Sequence, residues 1–200
     1  MSFYAVSQKD TLRAAMIQPE SERELVQRIA AGEESALREL YAAYGQQLYA
    51  YALRLVNDPA LAEDAVQNAL ITVWRTAAQY RGEGRVKAWL LGIVHNLALK
   101  NLRQQHLPIS DDLEAALPAP GPLPEDQAQR GEQSAWVRDG LQSLSPEHRA
   151  VLELVFYQGL RLEEAARVCD CPLGTIKSRL SYARQHLRRV LSRQNVEEWR

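Results

Sequence analysis

The chain has 200 residues, of which 46% are hydrophobic and 24% charged, and its formal net charge at pH 7 is −1. This composition is typical of a globular protein with one large or two small domains, and the charge argues against a uniformly basic nucleic-acid binder. No apolar run is long enough for a membrane span, and the N-terminus does not resemble a secretory signal. The two cysteines, Cys169 and Cys171, exclude a secreted disulfide framework and indicate the cytoplasm.

The charge is distributed unevenly along the chain. Residues 61–107 carry six basic and three acidic residues, and residues 148–200 carry ten basic and six acidic residues. Between them, residues 108–147 carry two basic and eight acidic residues, a net charge of −6. Two locally basic segments therefore flank an acidic spacer. This pattern indicates basic surfaces that suit a polyanion such as nucleic acid, although the net charge of the whole chain is close to zero.

The first predicted helical block covers residues 21–104. Ser21 is a plausible N-cap, and Glu24 three residues later completes the pattern of a capping box. Apolar residues then recur at helical spacing, with expected interruptions near Gly32 and Gly45.

Residues 57–59 read Asn-Asp-Pro, which is a strong signal for the start of a helix. The predicted helix has an apolar stripe that includes Trp74, which we expect in the core. Its opposite face carries polar side chains, namely Glu63, Asp64, Gln67 and Asn68. Residues 80–84 break the pattern, and the stripe that follows includes Trp89, which we expect to be partly in the core.

A proline-rich and acidic segment separates two helical blocks. It contains prolines that cannot sit in a helix interior and acids that repel each other, namely Pro108, Pro118, Pro120, Pro122, Pro124, Asp111, Asp112, Glu114, Glu125 and Asp126. We therefore predict an N-terminal extension (1–20), a first domain (21–104), a linker (105–133), a second domain (134–194) and a C-terminal tail (195–200). Neutralising the linker acids should raise non-specific DNA affinity at low salt.

The second block contains a short helix, a tight turn and a longer basic helix. The short helix is predicted over 161–168, the turn around Asp170 and Pro172, and the basic helix over 174–192. This arrangement is typical of a helix-turn-helix, whose second helix enters the major groove of DNA. An ordinary helical hairpin with a solvated basic face is the alternative.

Specific strings in both blocks resemble one protein family. The string GLRLEEAARVCDCPLGTIKSRL, residues 159–180, resembles region 4 of bacterial sigma factors of the extracytoplasmic-function (ECF) group. Four further strings resemble region 2 of the same group: AEDAVQ from Ala62, YRGE from Tyr80, KAWL from Lys87 and NLAL from Asn96. The resemblance implies an all-α fold, in which a region 2 helical bundle and a region 4 helix-turn-helix are joined by the linker.

The resemblance also implies a function. Such a protein binds core RNA polymerase, recognises the minus-thirty-five and minus-ten promoter elements and promotes transcription initiation, in response to an environmental or stress signal. Its partners would be core RNA polymerase, promoter DNA and an anti-sigma factor, with no membrane insertion. A stand-alone helix-turn-helix repressor or activator is the alternative, although it leaves the region 2 strings unexplained.

The resemblance assigns candidate residues to three surfaces. The polymerase-binding candidates are Glu63, Asp64, Gln67 and Asn68. The minus-ten DNA-binding candidates are Tyr80, Arg81, Arg85, Lys87, Trp89, Asn96 and Lys100. The minus-thirty-five DNA-binding candidates are Thr175, Lys177, Ser178, Arg179, Ser181 and Arg184. Plainer roles are open for some of them, since Tyr80 could cap a helix and Glu63 and Asp64 could stabilise a helix dipole.

The sequence departs from the family pattern at several positions. Asn68 stands where an acid is frequent, His95 where an arginine is frequent, and Asp170 where the turn usually has glycine. Aspartate tolerates the left-handed conformation, so the turn should persist. Cys169 and Cys171 replace aliphatic residues and are expected to act as small buried hydrophobes, and a thiol or metal sensor is the alternative hypothesis.

We expect no enzymatic activity. The sequence has no Gly-rich phosphate loop, no HExxH motif and no plausible nucleophile constellation. The four histidines are scattered along the chain, and two cysteines without a nearby histidine cannot complete a zinc site. No catalytic residue, cofactor or metal is therefore predicted.

Overall fold

A computed structural model of the chain describes residues 19–82, 84–105 and 140–197, and within them all regular structure is helical. The first domain contains α1 (Pro19–Ala30), α2 (Glu34–Val56), α3 (Pro59–Thr76), a 3₁₀ turn (Ala77–Gln79) and α4 (Val86–Gln105). The second domain contains α5 (Pro146–Leu152), a π-helical turn (Glu153–Tyr157), α6 (Leu162–Val168) and α7 (Leu173–Glu197). The all-α expectation is confirmed. The predicted N-terminal extension and linker lie almost entirely outside the described residues.

In the first domain, α2, α3 and α4 pack together and α1 lies against α2. Their apolar stripes meet in a core that includes Tyr51, Leu55, Val73 and Leu90, each at most 1% exposed. The predicted helix start after α2 is confirmed. Asn57 ends α2 in the left-handed conformation, and the Asp58 carboxylate accepts hydrogen bonds from the backbone N–H groups of the first turn of α3.

Three local predictions in the first domain are wrong. Helix α1 begins at Pro19, so Ser21 lies inside it, because proline is well suited to a first helical turn. Gly45 does not interrupt α2 but lies buried within it, where the missing side chain leaves room for the ring of Tyr41. Trp74 is 38% exposed, because it lies at the edge of the apolar stripe of α3.

In the second domain, α5 and α6 pack against α7 around Leu154 and Ile176, both fully buried. Ala165 and Ala166 of α6 are buried, as their small size allows. Asp170 adopts a φ of 45°, which confirms the left-handed turn predicted between the two helices. The order of a short helix, a tight turn and a longer basic helix is that of a helix-turn-helix.

The two domains pack directly against each other. Helix α6 packs on α4, and α5 packs on α2. This arrangement brings the loop before α4 close to the start of α6, and it therefore determines which of the candidate DNA-binding residues are accessible. No helix in the described ranges is long and apolar enough to cross a membrane.

Candidate nucleic-acid and polymerase interfaces

The N-terminal half of α7 presents an exposed polar and basic surface. Lys177, Ser178, Ser181 and Arg184 are all exposed. Their spacing places them along one side of the helix, opposite the buried residues that face α6 and α5. Arg184 also stacks over the ring of Phe156, with its guanidinium carbon 5.1 Å from the ring centroid. These four predicted minus-thirty-five residues are therefore brought together on one open surface.

The other two minus-thirty-five candidates lie at the margin of this surface. Thr175 and Arg179 are only partly exposed. An Nη atom of Arg179 lies 4.0 Å from the Cys171 sulfur, and the positive charge of this arginine contributes to lowering the pKa of His95. Arg179 therefore faces the junction with the first domain rather than the open side of α7.

Tyr80, in the loop between α3 and α4, forms an aromatic pair with Trp89, near the start of α4. The rings of Tyr80 and Trp89 lie 4.8 Å apart at a tilt of 36°, and the Tyr80 hydroxyl donates to the carbonyl of Gly84 at 3.1 Å. Gly82 and Gly84 have φ values of 72° and 91°, a conformation that favours glycine and lets the loop turn back on itself. Trp89 is half-buried against the core, as expected, and Arg81, next to Tyr80 in the chain, is exposed.

Two of the minus-ten candidates are bound to the second domain. The Arg85 guanidinium donates to both carboxylate oxygens of Glu164, from Nε at 2.8 Å and from Nη2 at 2.5 Å, and to the carbonyl of Gly159 at 3.1 Å. Lys87 Nζ donates to the carbonyl of Gln158 at 2.9 Å, and burial lowers the pKa of this lysine. No pattern in the sequence predicts these contacts, which depend on how the domains pack.

Asn96 and Lys100 are exposed one turn apart on α4. They line a cleft at the domain junction, whose opposite wall contains Cys169 and Asp170. His95, next to Asn96, is instead buried, with Nδ1 hydrogen-bonded to the Tyr51 hydroxyl across 2.7 Å. Burial lowers the pKa of His95 to about 4, so its imidazole is neutral at pH 7 and is unavailable to a phosphate.

The four predicted polymerase-binding residues are all exposed on α3. Glu63 and Gln67 are hydrogen-bonded one turn apart on this surface, at 3.3 Å. The same side of the helix continues with Ile71, 49% exposed, and Trp74, 38% exposed. Sequence reasoning missed these two apolar residues, although their spacing of four and seven residues from Gln67 places them on the same helical face. We call Glu63, Asp64, Gln67, Asn68, Ile71 and Trp74 together the α3 surface.

Both cysteines flank the turn between α6 and α7 as free thiols. They are partly buried and pack against the core, in agreement with the expected role as small hydrophobes. Burial raises the pKa of the Cys169 thiol to about 12, which disfavours the thiolate needed for oxidation or metal binding. No cluster of three metal-ligating side chains occurs among residues that the structure describes.

Two family models and several curated proteins are similar to this chain. The family model of sigma-70 region 2 matches residues 40–107, and that of sigma-70 region 4 matches residues 140–189. The chain is 32% identical to the ECF RNA polymerase sigma factor SigL of Mycobacterium tuberculosis, covering 84% of this chain and 95% of SigL. It is 29% identical to the RNA polymerase sigma-H factor of Pseudomonas aeruginosa, covering 88% of this chain and 96% of that factor.

A solved structure is similar in fold. The sigma factor RpoE of Bartonella quintana, solved in complex with the anti-sigma factor NepR, aligns with a TM-score of 0.58 at 28% identity. The alignment covers 78% of this chain and 96% of RpoE. Two family models in the expected order, and relatives matched over most of their length, leave one assignment: the chain belongs to the ECF sigma factors of RNA polymerase.

Proposed function

We propose that the chain, which as a sigma factor binds core RNA polymerase and directs it to promoters, divides this work among three surfaces. The first turns of α7 read the minus-thirty-five element, the loop before α4 and the exposed side of α4 engage the minus-ten element, and the α3 surface binds polymerase. The observation that carries the proposal is the exposed cluster on α7, behind a left-handed turn, in a helix-turn-helix.

The α7 cluster suits a DNA duplex. Lys177 and Arg184 supply positive charge for phosphates, and arginine can also read the two acceptors of guanine in the major groove. Ser178 and Ser181 supply hydroxyl groups that pair with either a base edge or a phosphate. Thr175 and Arg179 are proposed to contribute from the margin.

The first domain suits a separated strand. The Tyr80–Trp89 pair offers aromatic rings on which an unstacked base can stack, and Arg81, Asn96 and Lys100 offer exposed charge and an amide nearby. Arg85 and Lys87 belong to the same neighbourhood and are assigned to this strand as well. Stacking together with backbone charge is the usual basis of single-strand binding.

The α3 surface suits a protein partner. Its carboxylates would repel DNA, whereas its two exposed apolar side chains, Ile71 and Trp74, resemble the centre of a protein interface with a polar rim. We assign this surface to core polymerase.

Transcription assays with core polymerase test the proposal. Start sites are first mapped in cells that overproduce the chain, and run-off transcription is then measured from one of these promoters. Lys177→Ala should lower transcription with little loss of polymerase binding, and Ile71→Ala should weaken polymerase binding itself. Arg38→Ala is the control, because the Arg38 side chain is 75% exposed on α2, a helix that carries none of the three proposed surfaces. Failure of the wild-type chain to bind core polymerase would refute the assignment.

A stand-alone repressor or activator predicts the opposite result, which is specific duplex binding with no dependence on polymerase. The proposed role requires no enzymatic chemistry in this chain and places it in the cytoplasm with polymerase and the chromosome. We also propose control by an anti-sigma factor under an environmental or stress signal, since the similar RpoE is bound by one. Co-expression with products of neighbouring genes tests this, through loss of run-off transcription.

A further inference from the structure

Three rings lie in a row along one edge of α7. The ring of Tyr182, which is 48% exposed, stands between two imidazoles. The centroid of the His148 ring, from α5, lies 4.5 Å from that of Tyr182, and the centroid of the His186 ring, one turn further along α7, lies 6.2 Å from it. Both imidazoles are partly exposed. We call His148, Tyr182 and His186 the ring cluster, which the packing of α5 on α7 assembles from distant parts of the sequence.

Two serines determine which nitrogen of each imidazole is left for a ligand. Ser143 Oγ donates its one proton to the carbonyl of Gly140 at 2.8 Å. His186 Nε2 lies 2.8 Å from the same oxygen and must therefore be the donor in that contact. His148 Nδ1 likewise pairs with Ser145 Oγ at 2.7 Å. Among the described residues no hydrogen bond engages the second nitrogen of either ring, so each imidazole keeps one nitrogen that can take up a proton and bind an anion.

The charged groups that face the ring cluster come from both helices. Burial lowers the pKa of His148, and the positive charge of Arg179 on α7 acts in the same direction. The Glu147 carboxylate on α5 opposes this effect, and the His186 imidazole adds to it. Arg189, three residues beyond His186 on α7, is exposed. His148 is therefore mostly neutral at pH 7.5 and gains its charge as the pH falls.

The ring cluster and the two cations of the α7 surface occupy opposite edges of that surface. Each residue turns an α-helix by about 100°, so Lys177 and Arg184 share one edge. Tyr182 lies five residues beyond Lys177 and therefore points about 140° away from it. Ser178 and Ser181 lie between the two edges. One edge of the surface is thus permanently cationic, and the other carries imidazoles whose charge depends on pH.

Both edges of such a helix face phosphates when it enters DNA. An α-helix with its side chains is about 10–12 Å across, and the major groove is about 12 Å wide. The sugar–phosphate strands therefore lie close to both flanks of the helix. Lys177 and Arg184 supply charge towards one strand, and the free imidazole nitrogens lie on the flank that faces the other. A protonated imidazole donates a charge-assisted hydrogen bond to a phosphate oxygen.

From these observations we propose that His148 and His186, held against Tyr182, bind phosphates of the second DNA strand, so that duplex binding by α7 strengthens as these imidazoles gain protons. The inference rests on the proposed function of α7 in reading the minus-thirty-five element. It adds to that surface a phosphate-binding edge built from two helices. Tyr182 is a positioning residue of this edge, because its ring packs between the two imidazoles and aligns them.

The duplex affinity of the full-length chain at two pH values tests the inference. Fluorescence anisotropy with a mixed-sequence 30-base-pair duplex is measured at pH 8 and pH 6 over a range of salt concentrations, and circular dichroism verifies folding. The test variant combines His148→Gln with His186→Gln, which keeps a donor for each serine but cannot be charged. His106→Gln is the matched control, because His106 belongs to neither α5 nor α7. Tyr182→Leu keeps both imidazoles and removes the ring between them.

Wild type and His106→Gln should bind the duplex about fivefold or more tighter at pH 6 than at pH 8, whereas the double variant should change by less than about twofold. The slope of log affinity against log salt concentration should steepen by about one between pH 8 and pH 6 in wild type only, because each added phosphate contact contributes about 0.9. At pH 8 the double variant should match wild type, since the imidazoles are then neutral. Tyr182→Leu should reduce the gain at pH 6 and leave affinity at pH 8 unchanged.

An equal gain at pH 6 in wild type and the double variant would overturn the inference. If the double variant does not fold, His186→Gln alone takes its place and should lose part of the gain. If wild type transcribes with core polymerase but shows no pH-dependent duplex binding, the role of the ring cluster fails and the proposed function stands. If wild type binds no duplex at either pH and does not support transcription, both fail.

Discussion

The buried histidine of the first domain makes a quantitative prediction about stability against pH. His95 is 4% exposed and hydrogen-bonded to the Tyr51 hydroxyl, and burial lowers its pKa from 6.5 to about 4. Arg179 and Arg103 act in the same direction, whereas Glu147 partly opposes them. The folded protein therefore disfavours the imidazolium, and the unfolded chain accepts a proton first as pH falls.

The sign and size of the change in stability with pH follow from the difference between the folded and unfolded pKa values of His95. Because the pKa is lowered on folding, the contribution of His95 to stability is complete above pH 6.5 and is lost as pH falls towards 4. Linkage gives a loss of about 2 kcal/mol by pH 5 and about 3 kcal/mol by pH 4. This loss is a substantial fraction of the roughly 5–15 kcal/mol by which a typical domain is stable, so acid should weaken this part of the chain.

Urea unfolding of wild type and His95→Gln at pH 7.5, 6, 5 and 4 measures this loss. Glutamine is neutral at every pH and retains an acceptor and a donor for the Tyr51 hydroxyl. Other titrating groups cancel when the two proteins are compared. The unfolding free energy of wild type should therefore fall about 2 kcal/mol more than that of the variant between pH 7.5 and 5. Parallel pH dependences would refute the assignment of a neutral, buried imidazole.

Three further predictions concern a helix cap and the two DNA surfaces. Asp58→Ala removes acceptors for two N–H groups, at 2.8 and 3.1 Å, and should lower the unfolding free energy by about 1 kcal/mol in urea. Lys177→Ala should weaken duplex binding to DNA of any sequence and reduce the slope of log affinity against log salt concentration by about one. An unchanged slope would show that Lys177 does not contact a phosphate. Tyr80→Leu should weaken single-strand binding by about 1 kcal/mol with duplex affinity as the internal control, and equal losses on both probes would argue against stacking.

Most of the fold was predictable because its signals are local. The Asn-Asp-Pro sequence predicts both the end of α2 and the N-cap of α3, since each of its residues favours the backbone conformation that it adopts between these helices. Asp170 likewise takes the left-handed turn that the helix-turn-helix needs. The wrong predictions at Ser21 and Gly45 also have local causes. Pro19 is the first residue of α1 and Gly45 lies inside α2, because proline is tolerated in a first helical turn and glycine where packing needs space.

What the sequence could not provide is the accessibility of the candidate residues. From the sequence, Arg85 and Lys87 were expected to be accessible basic side chains. In the structure, both donate hydrogen bonds to carboxylate or carbonyl groups more than 70 residues away along the chain. Trp74 was predicted to lie in the core, because an apolar stripe in the sequence does not show which of its edges packs against another helix. These properties depend on long-range packing, for which a single sequence has no periodic signal.

The contact between the two domains pairs opposite charges within this chain of near-zero net charge. Two carboxylates of the second domain, Glu164 and Glu153, are paired with Arg85 and Arg54 of the first. Each domain therefore neutralises part of the charge of the other, which the charge counts of the separate sequence segments do not reveal.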